Sequence, residues 1–175
     1  IVLFSQSRFN GSILLTNLAY DVAITIRQAQ TFGVNVRENI KDSSFQHPYG
    51  VSFDANKSKQ FLMFVDSNGN KQYNGSWQCK ENNDECVDTY SIKKGNYISD
   101  ICVTTSGTSE CGIKNLDITF LRPDPDALFK AVKSGGGDAN DISDAKIIIS
   151  SANGDKRNIL VNATGQISIS RGSGV

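Results

Sequence analysis

Four cysteines are the residues of this chain best suited to covalent chemistry, and they fall as two close couples, Cys79 with Cys86 and Cys102 with Cys111. Each couple lies beside turn-forming Asn, Asp, Gly or Ser. That spacing suits two short disulfide loops, each contributing about 2 kcal/mol by restricting the unfolded chain. Four cysteines permit three pairings, so spacing alone leaves the connectivity open. Two bonds would place the protein outside the cytoplasm, where oxidants keep such loops closed. Neither couple has the two-to-four-residue spacing of a zinc knuckle, and His47 is the single histidine available to complete one.

Catalysis has no visible centre. His47 directly precedes Pro48 in an expected loop and reads as a surface residue. No nucleophile elbow, metal-binding histidine pair or phosphate-binding Gly-Lys-Ser sequence is present, and Gly135 to Gly137 lack the lysine and helix that would cradle a phosphate. Asp66, Asn68 and Asn70 alternate like the oxygen ligands of a calcium loop. Gly69, however, falls where a hairpin turn needs it, and no bidentate glutamate follows at the required distance. Asp124 and Asp126, interleaved with Pro123 and Pro125, are a second acidic group of the same weak kind. The expectation is no catalytic residue, no metal and no cofactor.

Eighteen basic residues balance eighteen acidic ones, which removes the general electrostatic argument for nucleic acid or an anionic membrane as the main partner. Any basic patch must be local. Lys156 and Arg157 stand beside Asp155 in an expected hairpin, Lys93 and Lys94 form a pair near Gly95, and Arg171 is alone near the C-terminus. Lys156, Arg157 and Arg171 are the candidates for contact with DNA. No stacking aromatics are interleaved with them, so as sequence they read as solvated faces.

The elements that would position these groups are of two kinds. With 175 residues and 38% hydrophobic content the chain can bury one sizeable core, so a single domain is the default. From Ser12 to about Val36, the residues Leu15, Leu18, Ala19, Val22, Ile26 and Ala29 recur at intervals of three and four. That spacing predicts an amphipathic helix with Leu15, Leu18, Val22 and Ile26 packed on a sheet. Ser12 is a candidate N-cap, unless the helix runs on continuously from Ile1. Its other face carries Asn17, Tyr20 and Arg27, candidates for contacts with further subunits. After Asn39 the texture changes to short β-prone runs. These are Tyr49 to Phe53, Phe61 to Val65, Thr89 to Ile92, Tyr97 to Val103, Leu116 to Phe120, Ala145 to Ser150, Arg157 to Val161 and Gln166 to Ser170. Phe61 to Val65 suits a strand buried on both faces. Asp66 to Gly69 predicts a hairpin turn into a strand at Lys71 to Tyr73, Ser134 to Asp138 a mobile surface loop, and the last three strands a terminal meander.

Several phrases recur in a familiar order. They are Leu14 to Asp21 with Arg27 to Gln30; Pro48 to Phe53; Phe61 to Asp66 with Asn68 and Gly69; Ile118 to Phe120; Ile147 to Ser151 with Asn153 and Gly154; and Ile159 to Asn162 with Gly165 to Ile167. Together they resemble the GspH/FimT family of type II secretion pseudopilins and minor type IV pilins, over most of the chain and least between Trp77 and Gly112. The resemblance implies an α+β, pilin-like fold, with one long N-terminal α-helix packed on an antiparallel β-sheet head. Residues 1–38 would form the exposed half of the helix and residues 39–175 the head, with a cysteine-containing insertion at 74–112. It further implies an apolar segment ahead of Ile1, of which Ile1 to Phe4 are the end. That segment would anchor the subunit in the cytoplasmic membrane with its head outside, and later pack inside a filament at the cell surface or in the periplasm. The partners implied are other pilin or pseudopilin subunits and the assembly machinery. No small-molecule substrate is implied, and a DNA-capture or adhesin subunit is the alternative.

Overall fold

The computed structural model describes residues 2–35, 47–79 and 85–172, with side chains from Asn10 onward. The expected helix end at Val36, the change of texture after Asn39 and the side chains of Ile1 to Phe4 lie outside the described residues. The chain begins with α1 (Val2–Val34) and continues through β1 (Tyr49–Asp54), β2 (Gln60–Val65), β3 (Cys86–Ser91), β4 (Tyr97–Thr105) and β5 (Thr108–Cys111). It then forms β6 (Ile113–Phe120), β7 (Ala127–Lys133), β8 (Asp138–Ala139), β9 (Ile142–Ser150), β10 (Lys156–Asn162) and β11 (Ile167–Arg171). These strands make two antiparallel sheets, one of six strands in the order β3-β2-β1-β6-β7-β8 and one of five in the order β11-β10-β9-β4-β5.

That arrangement corrects the expected pilin-like α+β head, which had one sheet beneath the helix. Strand dominates the fold, and the strands divide into two layers. The physical reason lies in which faces are apolar. Tyr49, Val51 and Phe53 of β1 with Leu116, Ile118 and Phe120 of β6 form one buried face, and Ile101, Val103, Ala145, Ile147, Ile149, Ile159 and Val161 form another. All of them belong to a single core with Leu15, Ala19, Val22, Ile26 and Ala29 of α1. A twisted open sheet of so many strands would curl or split, and two sheets closed on one core bury both apolar faces.

Several local expectations change as well. α1 runs through Gly11 and Ser12 without a break, so Ser12 is no cap; its carbonyl accepts from Thr16 Oγ1 at 2.8 Å instead. Lys71 to Tyr73 form no strand, because Asp66 draws the chain that follows it into a loop. Its Oδ1 accepts from the backbone N–H of Gly69 (2.8 Å) and Asn70 (3.1 Å), and its Oδ2 from that of Lys71 (2.7 Å). The segment read as a mobile glycine loop is a tight turn between β7 and β8. Gly136 and Gly137 there take φ of 86° and 85°, which glycine alone adopts cheaply. β5 was not anticipated, yet Ser106 and Gly107 between β4 and β5 both have positive φ, the two-residue hairpin turn that a Ser-Gly pair favours. The terminal meander β9-β10-β11 is present, each strand antiparallel to the next.

Candidate functional site

α1 is held to both sheets by polar contacts as well as by its buried stripe. Near its end, Gln30 Nε2 donates to the carbonyls of Pro125 (2.8 Å) and Gly165 (3.0 Å), bridging loops from the two sheets. Ten residues after the start of α1 at Val2, Ser12 Oγ accepts from Arg157 Nη2 at 3.1 Å. Gly33 lets the helix approach β6 so closely that a Cβ there would lie 2.2 Å from the Phe120 carbonyl oxygen. Leu15, Val22 and Ile26 are fully buried, and Leu18 packs partly buried against the core. These contacts fix which face of the helix points outward.

The outward face is apolar to an unusual degree. Ile13 is 44% exposed, Leu14 38%, Tyr20 55% and Ile24 61%, so four of the seven large exposed hydrophobic residues in the described structure lie on α1. Asn17 and Arg27 are exposed on the same helix. A groove flanks this face on either side. One, of about 350 Å³, separates Tyr20, Ala23, Ile24 and Arg27 from Ile167 and Ile169 of β11. The other, of about 550 Å³, lies between the helix and Phe61, Thr89 and Tyr90. In it the rings of Phe61 and Tyr90 stack at 5.0 Å. Burial first, then the negative charge of Asp88, raise the Tyr90 phenol above its ordinary value.

A second polar assembly lies on the far side of the six-stranded sheet. There Leu62, Phe64 and Cys86 form a separate buried cluster, covered by Tyr73, Trp77 and Cys79. Three acids are buried beside it: Asp66 is 0% exposed, Glu85 4% and Asp117 4%. Glu85 holds the loop as Asp66 does, with Oε1 accepting from Ser67 N–H (3.2 Å) and Oε2 from Asn74 N–H (2.8 Å). Asp117 differs, because its Oδ1 has no hydrogen-bond partner. Desolvation raises its pKa to about 7 against the help of Ser52 and the Tyr73 backbone, and the charges of Glu85 and Asp66 push the same way. Spacing gave no warning of this, since Asn115, Asp117 and Thr119 alternate as a solvent-facing strand would.

The cysteines pair as Cys79–Cys86 and Cys102–Cys111. Cys102 and Cys111 are cross-strand partners in the β4-β5 hairpin. Among the described residues, Asp100, Cys102 and Cys111 are grouped closely enough to suggest a metal site. The bond between the two sulfurs leaves no thiolate to serve as a ligand. The oxygens of the Asp66 loop point to backbone donors: Asn68 Oδ1 accepts from Asn70 N–H and Asn70 Oδ1 from Gln72 N–H. They do not converge on a cation. His47 is half-buried, and Asp124 and Asp126 are exposed. Lys156, Arg157 and Arg171, scattered in sequence, meet in one cleft of about 300 Å³ that also contains Ser12 and Asp155. Arg157 and Arg171 are direct cross-strand neighbours.

Among the described residues, no helix is long and apolar enough to cross a membrane. No family model, curated protein or solved structure matches the chain.

Proposed function

We propose that this chain is a structural subunit, of the minor pilin or pseudopilin kind, of a type IV pilus or a type II secretion pseudopilus, acting in filament assembly or initiation. The observation that carries the reading is the double character of α1. One face is fully absorbed into the core, and the other presents Ile13, Leu14, Tyr20 and Ile24 to solvent. A helix exposing that many large apolar groups has a surface suited to burial against another molecule. The GspH/FimT resemblance of the sequence supplies the class of filament. The two disulfides support a head outside the cytoplasm. The reading assigns no catalytic group and no cofactor.

Two measurements test it. The codons immediately upstream of Ile1 should encode an apolar run of about twenty residues behind a short basic leader; a polar sequence there sinks the proposal. Ile13→Asp should leave the head folded, because the position is 44% exposed, while incorporation into filaments falls by about tenfold, the equivalent of roughly 1.4 kcal/mol at the contact. Unchanged incorporation would argue against the helix face as the contact.

The gathering of Lys156, Arg157 and Arg171 into one cleft favours a second reading, a DNA-capture subunit of the same machinery. Salt-sensitive binding of duplex DNA, lost on changing Lys156 and Arg157 to Ala, is its expected signature. Absence of binding at low salt removes it.

A further inference from the structure

Among the described residues, no strand pairs with the outer edge of β11. β11 is the terminal strand of its sheet, paired on one side with β10. Hydrogen bonds from Asn162 N–H to the Gln166 carbonyl and from Gly172 N–H to the Lys156 carbonyl, both 3.1 Å, set the phase of the ladder. In that phase Ser168 and Ser170 bond to β10, and the N–H and C=O groups of Ile167, Ile169 and Arg171 point away from the sheet. Such a row is a template for another strand. It faces the 350 Å³ groove whose opposite wall is Tyr20, Ala23 and Ile24 of α1.

Charge is distributed along the groove in a definite order. α1 and β11 run in opposite directions, because Gln30 reaches Gly165 ahead of β11 whereas Ser12 reaches Arg157, the partner of Arg171 at the end of β11. Arg27 therefore stands at one end of the groove and Arg171, reinforced by Arg157 and Lys156, at the other. The middle is apolar, formed by Ile24, Ala23, Ile167 and Ile169. Asp155 lies among the cations at the Arg171 end, and Asp124 and Asp126 flank Pro125, which Gln30 joins to Gly165 beyond the Arg27 end.

We infer that the β11 edge is a docking site for an extended segment of another protein, apolar at alternate central positions and acidic at both ends, which adds as a further antiparallel or parallel strand. Backbone pairing with Ile167, Ile169 and Arg171 supplies affinity. The apolar groove selects side chains on one face of the incoming strand, and the two arginine ends exclude basic segments. A second copy of β11 is disfavoured as occupant, since it would bring like charges together. This inference does not depend on the filament reading.

The probe is a capped, fluorescently labelled peptide, Glu-Thr-Val-Thr-Val-Thr-Glu, which places its valines and both glutamates on one face of a strand. Saturable binding to the whole chain is expected by anisotropy. Ile24→Asp and Arg27→Glu, both at exposed positions, should each weaken it by about tenfold or more. N-methyl groups at alternate peptide residues, introduced in either phase, should abolish binding in one phase and spare it in the other, because only one set of N–H groups faces β11. Absence of saturable binding, indifference to both substitutions, or equal binding by both methylated peptides overturns the inference. So does self-association of the wild-type chain that Ile24→Asp dissolves, which would assign the edge to a second copy.

Discussion

The two sheets solve the same burial problem differently. In the five-stranded sheet, the inner residues Ile147, Ile149, Ile159 and Val161 are fully buried, while Leu160 on the outer face is 38% exposed. In the six-stranded sheet, β2 is buried on both sides: Phe61, Met63 and Val65 face the main core, and Leu62 and Phe64 face a second cluster beneath the 66–79 loop. Covering that second face required a loop, and the loop lacks a ladder of its own. Its backbone donors are met by the buried carboxylates of Asp66 and Glu85 and its far end by the Cys79–Cys86 bond. The five-stranded sheet has no such covering loop among the described residues, and its own disulfide, Cys102–Cys111, closes a hairpin between neighbouring strands. The two sheets therefore differ in what lies on their outer faces: a second apolar cluster and its loop on one, solvent on the other.

The sharpest way to break this comparison is to truncate one outer-face residue in each sheet. Phe64→Ala, which empties the space between Gly50 and Tyr73, should lower stability by about 3–5 kcal/mol in denaturant titration. Leu160→Ala should cost under about 1 kcal/mol, and equal losses would refute the difference. Replacing Cys79 and Cys86 together by Ser should cost about 2 kcal/mol. That change should also raise amide exchange in the 66–79 loop while leaving β9 and β10 protected; loss of protection in both sheets would mean the loop is not a separate layer.

A further difference between the sheets is one of pH. Burial raises Asp117 from 3.8 to about 7, so folding takes up a proton. The associated stability is fully present below about pH 4 and is lost as pH rises through about 7, at no more than about 1.4 kcal/mol per pH unit. Asp117→Asn should flatten that slope and exceed the wild type at pH 8 by up to about 4 kcal/mol, with little difference at pH 4. A wild-type stability independent of pH between 4 and 7 would place the Asp117 carboxylate in water, and the loop with it.

Much of this was legible from residue order. The three-and-four spacing of Leu15, Ala19, Val22, Ile26 and Ala29 determined the helix and its inner face, because a helix turns by a fixed angle per residue. The unbroken apolar run Phe61 to Val65 determined a strand with no solvent face, whereas the equally apolar triplets Ile147 to Ile149 and Ile159 to Val161 proved buried on one face alone. Cysteine spacing suggested two short loops and left their pairing open; the Ser106-Gly107 turn, seen in the structure, sets Cys102 opposite Cys111. Tertiary structure alone decided the rest. It divided the strands into two sheets, turned Asp117 from an apparent surface residue into a buried acid, gathered Lys156, Arg157 and Arg171, and set Arg27 and Arg171 at opposite ends of one groove. Periodicity is a property of neighbours a few residues apart, whereas what covers a face or lies beside an edge depends on chain returning from more than a hundred residues away, as Gln30 meeting Gly165 does.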